Sequence, residues 1–290
     1  MYFAPVFHFA PPCAPLRGWV RQHQLIRLRF VSDTEVPVKP YWPRPAAALA
    51  FYLRDPEWLG AGLGPAVQKK TRAVLIGQPT QVTMRQGGRD FSVYQIEFEP
   101  GALYRLTGLP LDRLVDAWVD AEAVFPQPFS SLVDRLEDLG EPMSLIAAAE
   151  AWLLSRVAQA RRAALPCDDV AAHLVNGSLA SIDQLAYAHG IDTRQLRRQF
   201  VQRAGVSPKL LGRIARFDRL IRLANAAPRE HWLNLALEAG LHDHQHLARD
   251  FRQFTLTTPS AFRAMEARAP ERGFGFREAN PPDSRGIHRS

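Results

Sequence analysis

The chain has 290 residues, of which 47% are hydrophobic, so it is long enough for two domains and too apolar for a disordered protein. Its formal net charge of +7 is unevenly distributed. Residues 1–169 hold 18 basic and 18 acidic residues, whereas residues 170–269 hold 14 basic and 8 acidic ones. This asymmetry indicates a surface for a polyanion in the second half. The alternative is a basic protein without an anionic partner.

Cysteine use and hydropathy argue against several classes of protein. Neither Cys13 nor Cys167 belongs to a CxxC motif or a Cys/His cluster, so we expect no zinc site, no disulfide framework and no cofactor. No run approaches the roughly 20 apolar residues that span a bilayer. The first 15 residues lack the basic segment of a signal peptide and contain several prolines. We therefore expect a cytoplasmic protein without membrane contact.

The first hundred residues carry the short apolar and alternating runs that are typical of β-strands. Such runs lie at 25–31, 47–53 and 72–77. Residues 82–98 predict a hairpin that turns at Gly87 and Gly88. One face of its second arm is wholly apolar and suits a core, and it consists of Tyr94, Ile96 and Phe98. Five aromatic or histidine side chains suit a ligand pocket as well as a core, so none is assigned to an effector: His8, His23, Trp42, Tyr52 and Tyr94.

From residue 111 the apolar spacing becomes helical. A first helical face would consist of Leu111, Leu114, Val115, Trp118 and Val119. Two more helices are predicted at 130–139 and 143–163, the second with an apolar side that could pack inward or against a partner. Residues 164–169 predict a linker. Residues 1–169 are therefore predicted to form one domain, with strands over 1–100 and helices over 111–163, and residues 269–290 a disordered tail.

Two short helices separated by a glycine follow. Ser181 and Gln184 form a capping box, Gly190 ends the first helix, and Asp192 caps the second. The apolar side chains of the second helix fall on one face and its arginines on another, namely Leu196 and Phe200 against Arg194, Arg197 and Arg198. This is the pattern of a helix-turn-helix. The alternative is a solvated arginine stripe on an ordinary helical bundle.

The same pattern recurs about fifty residues later. Matching positions are Ala186 and Ala236, Gly190 and Gly240, Leu196 and Leu247, Arg198 and Arg249, and Phe200 and Phe251, followed by Ser207-Pro208 and Thr258-Pro259. The apolar positions are kept while the outward residues differ, as expected of two readers of different base sequences.

A long helix is predicted between the two copies, at 207–228. Its apolar stripe consists of Leu210, Ile214, Phe217, Ile221 and Ala224. Twenty helical residues span about 30 Å, close to the roughly 34 Å of one turn of B-DNA. The helix could therefore hold two recognition helices in successive major grooves.

Residues 178–265 resemble the DNA-binding domain of AraC-type transcriptional regulators. Positions that meet the family pattern are Ile182, Leu185, Ala186, Gly190, Arg194, Leu196, Arg198, Phe200, Gly205, Ser207 and Pro208, then Ala236, Gly240, Asp243, His246, Arg249, Phe251, Thr258, Pro259, Phe262 and Arg263. The chain departs from it with Asp192 and Gln245 in place of Ser, Leu241 and Leu247 in place of Phe, and Leu256 in place of Gly.

The resemblance implies an α+β chain. A strand-rich domain with trailing helices, in the form of a small cupin-like barrel, would sense an effector or form dimers over residues 1–169. An all-α domain with two helix-turn-helix units joined by a long helix would occupy residues 170–268. The implied partners are double-stranded DNA, a small-molecule effector, a second copy of the chain and RNA polymerase.

Residue roles follow from the positions within the two units. Base readers would be Arg194, Gln195, Arg197, Arg198, Gln245, His246 and Arg249, because Arg and Gln pair with base edges. Phosphate or flanking contacts would be Thr193, Gln199, Lys209, Arg213, His244 and Arg252.

Several other functions fit the sequence less well than a regulator does. His242, His244 and His246 would point to different sides of a helix, which disfavours a metal site. The chain has no nucleophile elbow and no glycine-rich phosphate loop, so no catalytic residue is assigned, and its isolated cysteines disfavour a DNA-repair protein. We predict a sequence-specific, effector-responsive transcriptional regulator; the alternative is a small-molecule-binding or enzymatic β-barrel whose helical domain mediates dimerisation.

Overall fold

The computed structural model describes residues 6–178, 180–241 and 244–267, except for the side chains of His244 and His246. The predicted disordered tail at 269–290 lies outside these residues. The strands are β1 Val6–Ala10, β2 Val20–Arg29, β3 Lys39–Tyr41, β4 Ala48–Tyr52, β5 Trp58–Ala61, β6 Gln68–Lys69, β7 Ala73–Ile76, β8 Thr83–Gln86, β9 Asp90–Phe98 and β10 Trp118–Asp120. The α-helices are α1 Ala102–Thr107, α2 Ala121–Val124, α3 Phe129–Asp138, α4 Pro142–Gln159, α5 Pro166–Val175, α6 Ile182–Ala188, α7 Thr193–Ala204, α8 Pro208–Ala226, α9 Trp232–Glu238, α10 His244–Thr255 and α11 Pro259–Ala267.

The strand-rich first part is confirmed, and its strands form two antiparallel sheets. The six-stranded sheet has the order β1-β2-β9-β4-β7-β10, and the four-stranded sheet has the order β3-β8-β5-β6. In β9, which lies between β2 and β4, the predicted apolar face is confirmed because Tyr94, Ile96 and Phe98 are all buried. They join the main core, which lies between the six-stranded sheet and helices α1 to α4.

The predicted hairpin over residues 82–98 is wrong. β8 pairs with β3 and β5, whereas β9 pairs with β2 and β4, so the two arms belong to different sheets. Asp55 holds the connection in place: its Oδ2 accepts from the Asp90 amide at 2.7 Å. A Cβ on Gly88 would lie 2.2 Å from the Asp55 Cβ. Gly88 therefore allows the chain to pass close to Asp55 between the sheets rather than to turn back on itself.

The single helix predicted from residue 111 is also wrong. A 3-10 turn covers Leu111–Leu114, and the next segment is the edge strand β10, which pairs with β7. Asp116 interrupts the helix, because its φ of +53° is not helical and its carboxylate accepts from both the amide and the hydroxyl of Thr80. The two later helices are confirmed as α3 and α4.

Helix α4 packs inward. Its Leu145, Ala149 and Leu153 are fully buried, and Trp152 contacts Phe125 edge-on at 5.0 Å. Of the two alternatives for this apolar side, inward packing or contact with a partner, the structure has inward packing.

The linker predicted at 164–169 is wrong in its second half, where α5 begins. Pro166 occupies the first helical turn, where a missing amide costs nothing. Asp168 then accepts from the Leu165 amide at 3.1 Å, which fixes the start of the helix.

The second part of the chain holds two further cores that share α8. The first core is formed by α5, α6, α7 and the start of α8, with Phe200 and Leu211 inside. The second is formed by the rest of α8 with α9, α10 and α11, with Phe217, Phe251 and Phe262 inside. With 19 residues, α8 is about 28 Å long at 1.5 Å per residue, and its predicted apolar stripe is confirmed.

Candidate nucleic-acid interface

The first helix-turn-helix unit, α6 and α7, has the predicted local structure. The Ser181 hydroxyl accepts from the Gln184 amide at 3.1 Å, and the Gln184 Oε1 accepts from the Ser181 amide at 2.8 Å. Gly190 ends the first helix with a φ of +61°, which a residue with a Cβ adopts at a cost. The Asp192 carboxylate accepts from the amides of Arg194 and Gln195 at 2.9 and 3.0 Å and caps α7.

The second unit, α9 and α10, repeats this arrangement. Gly240 has a φ of +83° in its turn. Core positions correspond in pairs, each buried in both copies: Leu185 and Leu235, Ala186 and Ala236, Leu196 and Leu247, and Phe200 and Phe251. The repeat extends to the end of the second helix, because Gly205 has a φ of +87° and Leu256, 51 positions later, has one of +56°. Leu256 therefore adopts a left-handed conformation at the position where the AraC-type pattern has glycine, and its backbone is strained there.

Most residues predicted to meet DNA lie on the outside of these helices. Exposed side chains are Arg194, Gln195, Arg197, Arg198, Lys209, Gln245, Arg249 and Arg252. Within the described part of the chain, no acid pairs with the arginines among them. Helix α7, Thr193–Ala204, contains no acidic residue, so nothing on the helix itself offsets the positive charge of its outer face.

Three predicted flanking residues are partly buried. The Thr193 hydroxyl donates to the Asp183 Oδ1 at 3.1 Å, which ties α7 to α6. The Gln199 Oε1 is buried, with no hydrogen-bond partner among the residues described. Arg213 donates to Asp250, and also to the Gln253 Oε1 at 2.7 Å. The side chains of His244 and His246 lie outside the described residues, so their predicted roles stay predictions.

Several of the predicted cations converge on one cleft between the two units. This inter-unit cleft has a volume of about 1000 Å³, and α8 contributes a large part of its lining. Its charged lining residues are Arg197, Lys209, Arg213, Arg216, Arg249 and Asp250. Arg216 was not predicted, although its spacing from Lys209 and Arg213 on a helix would have indicated a shared face.

A buried ion pair that the sequence did not reveal fixes α7 to the rest of the molecule. The Arg203 Nε donates to the Asp168 Oδ1 at 2.7 Å, and its Nη2 to Oδ2 at 2.5 Å. The guanidinium also lies 4.9 Å from the centre of the Tyr104 ring on α1. Burial lowers the pKa of Arg203, but the hydrogen bonds to Asp168 and the attraction of its charge together outweigh this, so that the pKa is raised.

A second cavity, of about 160 Å³, lies between the two sheets and helix α8. We call it the inter-sheet cavity. The sheets contribute mainly aromatic and aliphatic side chains, including Trp42 and Tyr52, two of the five residues considered for a pocket. Helix α8 contributes Phe217, Asp218 and Ile221.

Two contacts beside this cavity join the first part of the chain to the second unit. Arg44, which follows β3, lies 3.4 Å from Glu97 on β9 and 3.7 Å from Asp218 on α8. Trp42 packs against Phe262 of α11 with ring centres 4.8 Å apart. The cavity is therefore lined by the same helix that joins the two helix-turn-helix units.

Two further features of the described ranges concern metal ions and membranes. No group of three or more His, Cys, Asp or Glu residues there is arranged to hold a metal ion. The triplet His242, His244 and His246 lies outside the residues whose side chains are described. No helix in these ranges is both long and apolar enough to cross a membrane.

Comparison with known proteins places residues 185–265 in a family. They match the sequence model of the family described as "Helix-turn-helix domain". The C-terminal region is an AraC-type helix-turn-helix domain. This match supports a DNA-binding transcriptional regulator. No curated protein matches the chain at a significant level.

Several solved structures have a remote likeness to this chain. ToxT from Vibrio cholerae is 11% identical with a TM-score of 0.46, over 84% of this chain and 98% of that one. ToxT with a bound unsaturated fatty acid, from strain SCE256, is 10% identical with a TM-score of 0.44, over 91% and 98%. The AraC-like transcriptional activator CuxR is 15% identical with a TM-score of 0.26, over 76% and 86%.

Proposed function

We propose that this regulator reads DNA sequence with α7 and α10 in two successive major grooves on one side of the duplex. In each unit the second helix is the recognition helix of a helix-turn-helix, and its first residues meet base edges. α7 would carry Arg194, Gln195, Arg197 and Arg198 to the bases, and α10 would carry Gln245, His246 and Arg249. Arginine is the usual bidentate partner of guanine, and glutamine that of adenine.

The exposed arginine face of α7 is the observation that supports this proposal most. Arg194, Arg197 and Arg198 are exposed and have no acidic partner within the described part of the chain. The opposite face is fixed by Leu196 and Phe200 in the core. A rigid helix with unpaired guanidinium groups on its outer face has the form required to bind a polyanion.

Binding to selected duplexes tests the proposal. A duplex enriched by the pure protein from a random pool is compared with its scrambled sequence by fluorescence anisotropy at ~0.15 M salt, and the Kd is measured over a range of salt concentrations. We expect the selected duplex to bind at least about 10³-fold more tightly, since specific sites typically exceed random ones by this much. Equal affinity for both duplexes would contradict sequence reading.

Arg197→Ala refines the test. Loss of a guanine contact costs about 1–3 kcal/mol on the selected duplex and much less on the scrambled one. Arg135→Ala, an exposed arginine on α3 in the first part of the chain, is the control and should change neither Kd. An equal loss on both duplexes would make Arg197 a phosphate contact instead.

We further propose that the inter-sheet cavity is the site of a small-molecule effector. A cavity of about 160 Å³ is comparable to the roughly 150 Å³ that admits benzene in an engineered core. Its lining combines aromatic and aliphatic side chains with a few charged groups, as ligand pockets do. Because Asp218 and Ile221 of α8 line it, a ligand there would contact the helix that joins the two units. A change in the Arg44–Asp218 contact is the expected route from ligand to DNA affinity.

Filling the cavity tests this second part. Metabolites extracted from cells are expected to change the affinity of the wild-type protein for its selected duplex. Val93→Trp, in the cavity lining, should abolish that change and leave the Kd without extract within about twofold. Val31→Trp, at a position that is 67% exposed, is the control. A response of the V93W protein equal to that of the wild type would place the effector elsewhere.

The division into residues 1–169 and 170–268, a homodimer and contact with RNA polymerase are further parts of the proposal. The inward packing of α4 removes its apolar side from the surfaces available to a second copy.

A further inference from the structure

We propose that the inter-unit cleft holds the sugar–phosphate backbone of DNA between the two major-groove segments, and that Arg216 on its floor is a phosphate-binding residue. This inference rests on the proposed reading of DNA by α7 and α10. It adds a binding surface on α8, the helix between them.

Arg216 is a partly buried cation without an anion. No hydrogen bond or ion pair joins its guanidinium to any residue in the described part of the chain. Burial lowers its pKa and outweighs the attraction of Asp250, the one acid in the cleft lining. The Asp250 carboxylate already accepts from Arg213. A partly desolvated guanidinium without an acidic partner is stabilised when an anionic ligand binds it.

The neighbours of Arg216 extend the same charge over the cleft. Lys209, Arg213 and Arg216 are four and three residues apart, so they share one face of α8. Arg197 from α7 and Arg249 from α10, which the proposed function assigns to base edges, border the cleft on either side. Five cations therefore face one acid, and that acid is already paired with Arg213. This positive charge suits a phosphate backbone. The recognition helices α7 and α10 flank the cleft on either side.

The order of surfaces along DNA explains why backbone and not base edges would lie here. Two major-groove segments on one side of a duplex are separated by a minor groove, which a phosphate backbone borders on each side. A helix that joins two recognition helices in those segments must pass over these phosphates. Gly212 lies in the cleft lining beside Arg216, whose Nη1 is 3.6 Å from the position that a Cβ would take, and it adds no side chain to this part of the cleft.

The test compares two arginines that lie three residues apart on α8. Arg216→Gln should weaken binding of the selected and the scrambled duplex by the same factor, about tenfold, because a charge-assisted hydrogen bond is lost whatever the sequence. The slope of log Kd against log salt should fall by about 0.9, the contribution of one phosphate. Arg219→Gln makes the same charge change outside the cleft lining, where the guanidinium lies against Gly177, and should leave the slope unchanged.

A second pair of variants tests the charge of the cleft with Arg216 retained, at Gly212, where a Cβ would lie 3.6 Å from the Arg216 Nη1. Gly212→Glu places an acid in the lining and should weaken both duplexes by more than tenfold, whereas Gly212→Gln, of nearly the same size, should retain binding. Thermal unfolding measured alongside verifies that each variant is folded, and this pair alone decides the test if Arg216→Gln does not fold.

The possible results separate this inference from the proposed function. If the wild-type protein does not prefer a selected duplex, the proposed function fails. If it does, but Arg216→Gln matches Arg219→Gln, or Gly212→Glu matches Gly212→Gln, the backbone site is refuted and sequence reading stands. A loss on the selected duplex alone would also overturn the inference, because it would make Arg216 a reader of sequence.

Discussion

The change of Asp168 to Asn tests the buried ion pair that anchors the first recognition helix. The substitution keeps the shape of the side chain but removes its charge, and it leaves Arg203 positively charged. Both side chains are nearly fully buried, with relative exposures of 7% for Asp168 and 5% for Arg203. Arg203 would then keep a carbonyl acceptor, that of Ala163 at 3.0 Å, but no carboxylate.

Asp168→Asn should lower the free energy of unfolding by a large amount for a single substitution. Breaking one partner of a buried pair costs about 3–5 kcal/mol, because an uncompensated charge stays buried. Asp169→Asn makes the same charge change one residue away on an exposed side chain, and should cost no more than about 0.5 kcal/mol. The double change Asp168→Asn with Arg203→Met should recover most of the loss, because it removes the unpaired charge as well.

Urea unfolding, followed by circular dichroism and by tryptophan fluorescence, measures these differences. A shift of the midpoint at constant m-value reports the change in the free energy of unfolding. The account of the ion pair is refuted if Asp168→Asn and Asp169→Asn have the same midpoint. It is also refuted if the double variant is less stable than Asp168→Asn alone.

Further predictions concern stability, pH and the contact between Trp42 and Phe262. Leu256→Gly should raise the free energy of unfolding by about 0.5–1 kcal/mol, because relief of a left-handed leucine exceeds the entropy cost of glycine; a loss above 1 kcal/mol in urea would contradict the strain. Burial lowers the pKa of His23 below its ordinary 6.5 despite the facing Glu150. The unfolded chain therefore takes up a proton that the folded chain does not, so stability should fall as the pH drops below 6.5, and unfolding curves of His23→Gln should depend less on pH there. Trp42→Ala should lower the free energy of unfolding by about 3 kcal/mol, the low end for a tryptophan because this ring is only half-buried against Phe262; a free energy of unfolding within about 0.5 kcal/mol of the wild type would show that this contact is not needed.

The helical second part was largely predictable from the sequence because its signals are local. The capping box of Ser181 and Gln184, the cap by Asp192 and the turn at Gly190 each act within a few residues, and each is found in the structure. The apolar stripe of α8 can be recognised from the spacing of its residues alone. A duplicated pattern also supplied each position twice, which made the core residues easier to recognise.

The hairpin and the helix that were wrongly predicted in the first part of the chain depend on contacts between distant residues. The glycines at 87 and 88 suit a tight turn, but Asp55, more than thirty positions earlier, sets the path of the chain there. Likewise, Thr80 binds Asp116 and ends what the apolar spacing presented as one helix. Neither partner has a signal that a local pattern could use.

The candidate interface was predictable in its exposed residues and not in its buried ones. Arg197 and Arg249 follow from the helix-turn-helix pattern, and both line the cleft. Arg203 looks like one more arginine on the same helix, yet it is buried against Asp168, 35 positions earlier. Sequence spacing does not distinguish a cation that meets a ligand from one that meets an internal acid.

The most direct test of two recognition helices in successive grooves is the sequence that the protein selects from a random duplex pool. The account predicts two informative blocks whose centres lie about 10 base pairs apart, one turn of B-DNA. Selection repeated with Arg197→Ala should lose information in one block, and with Arg249→Ala in the other. A single informative block, or a loss in the same block for both variants, would contradict the account.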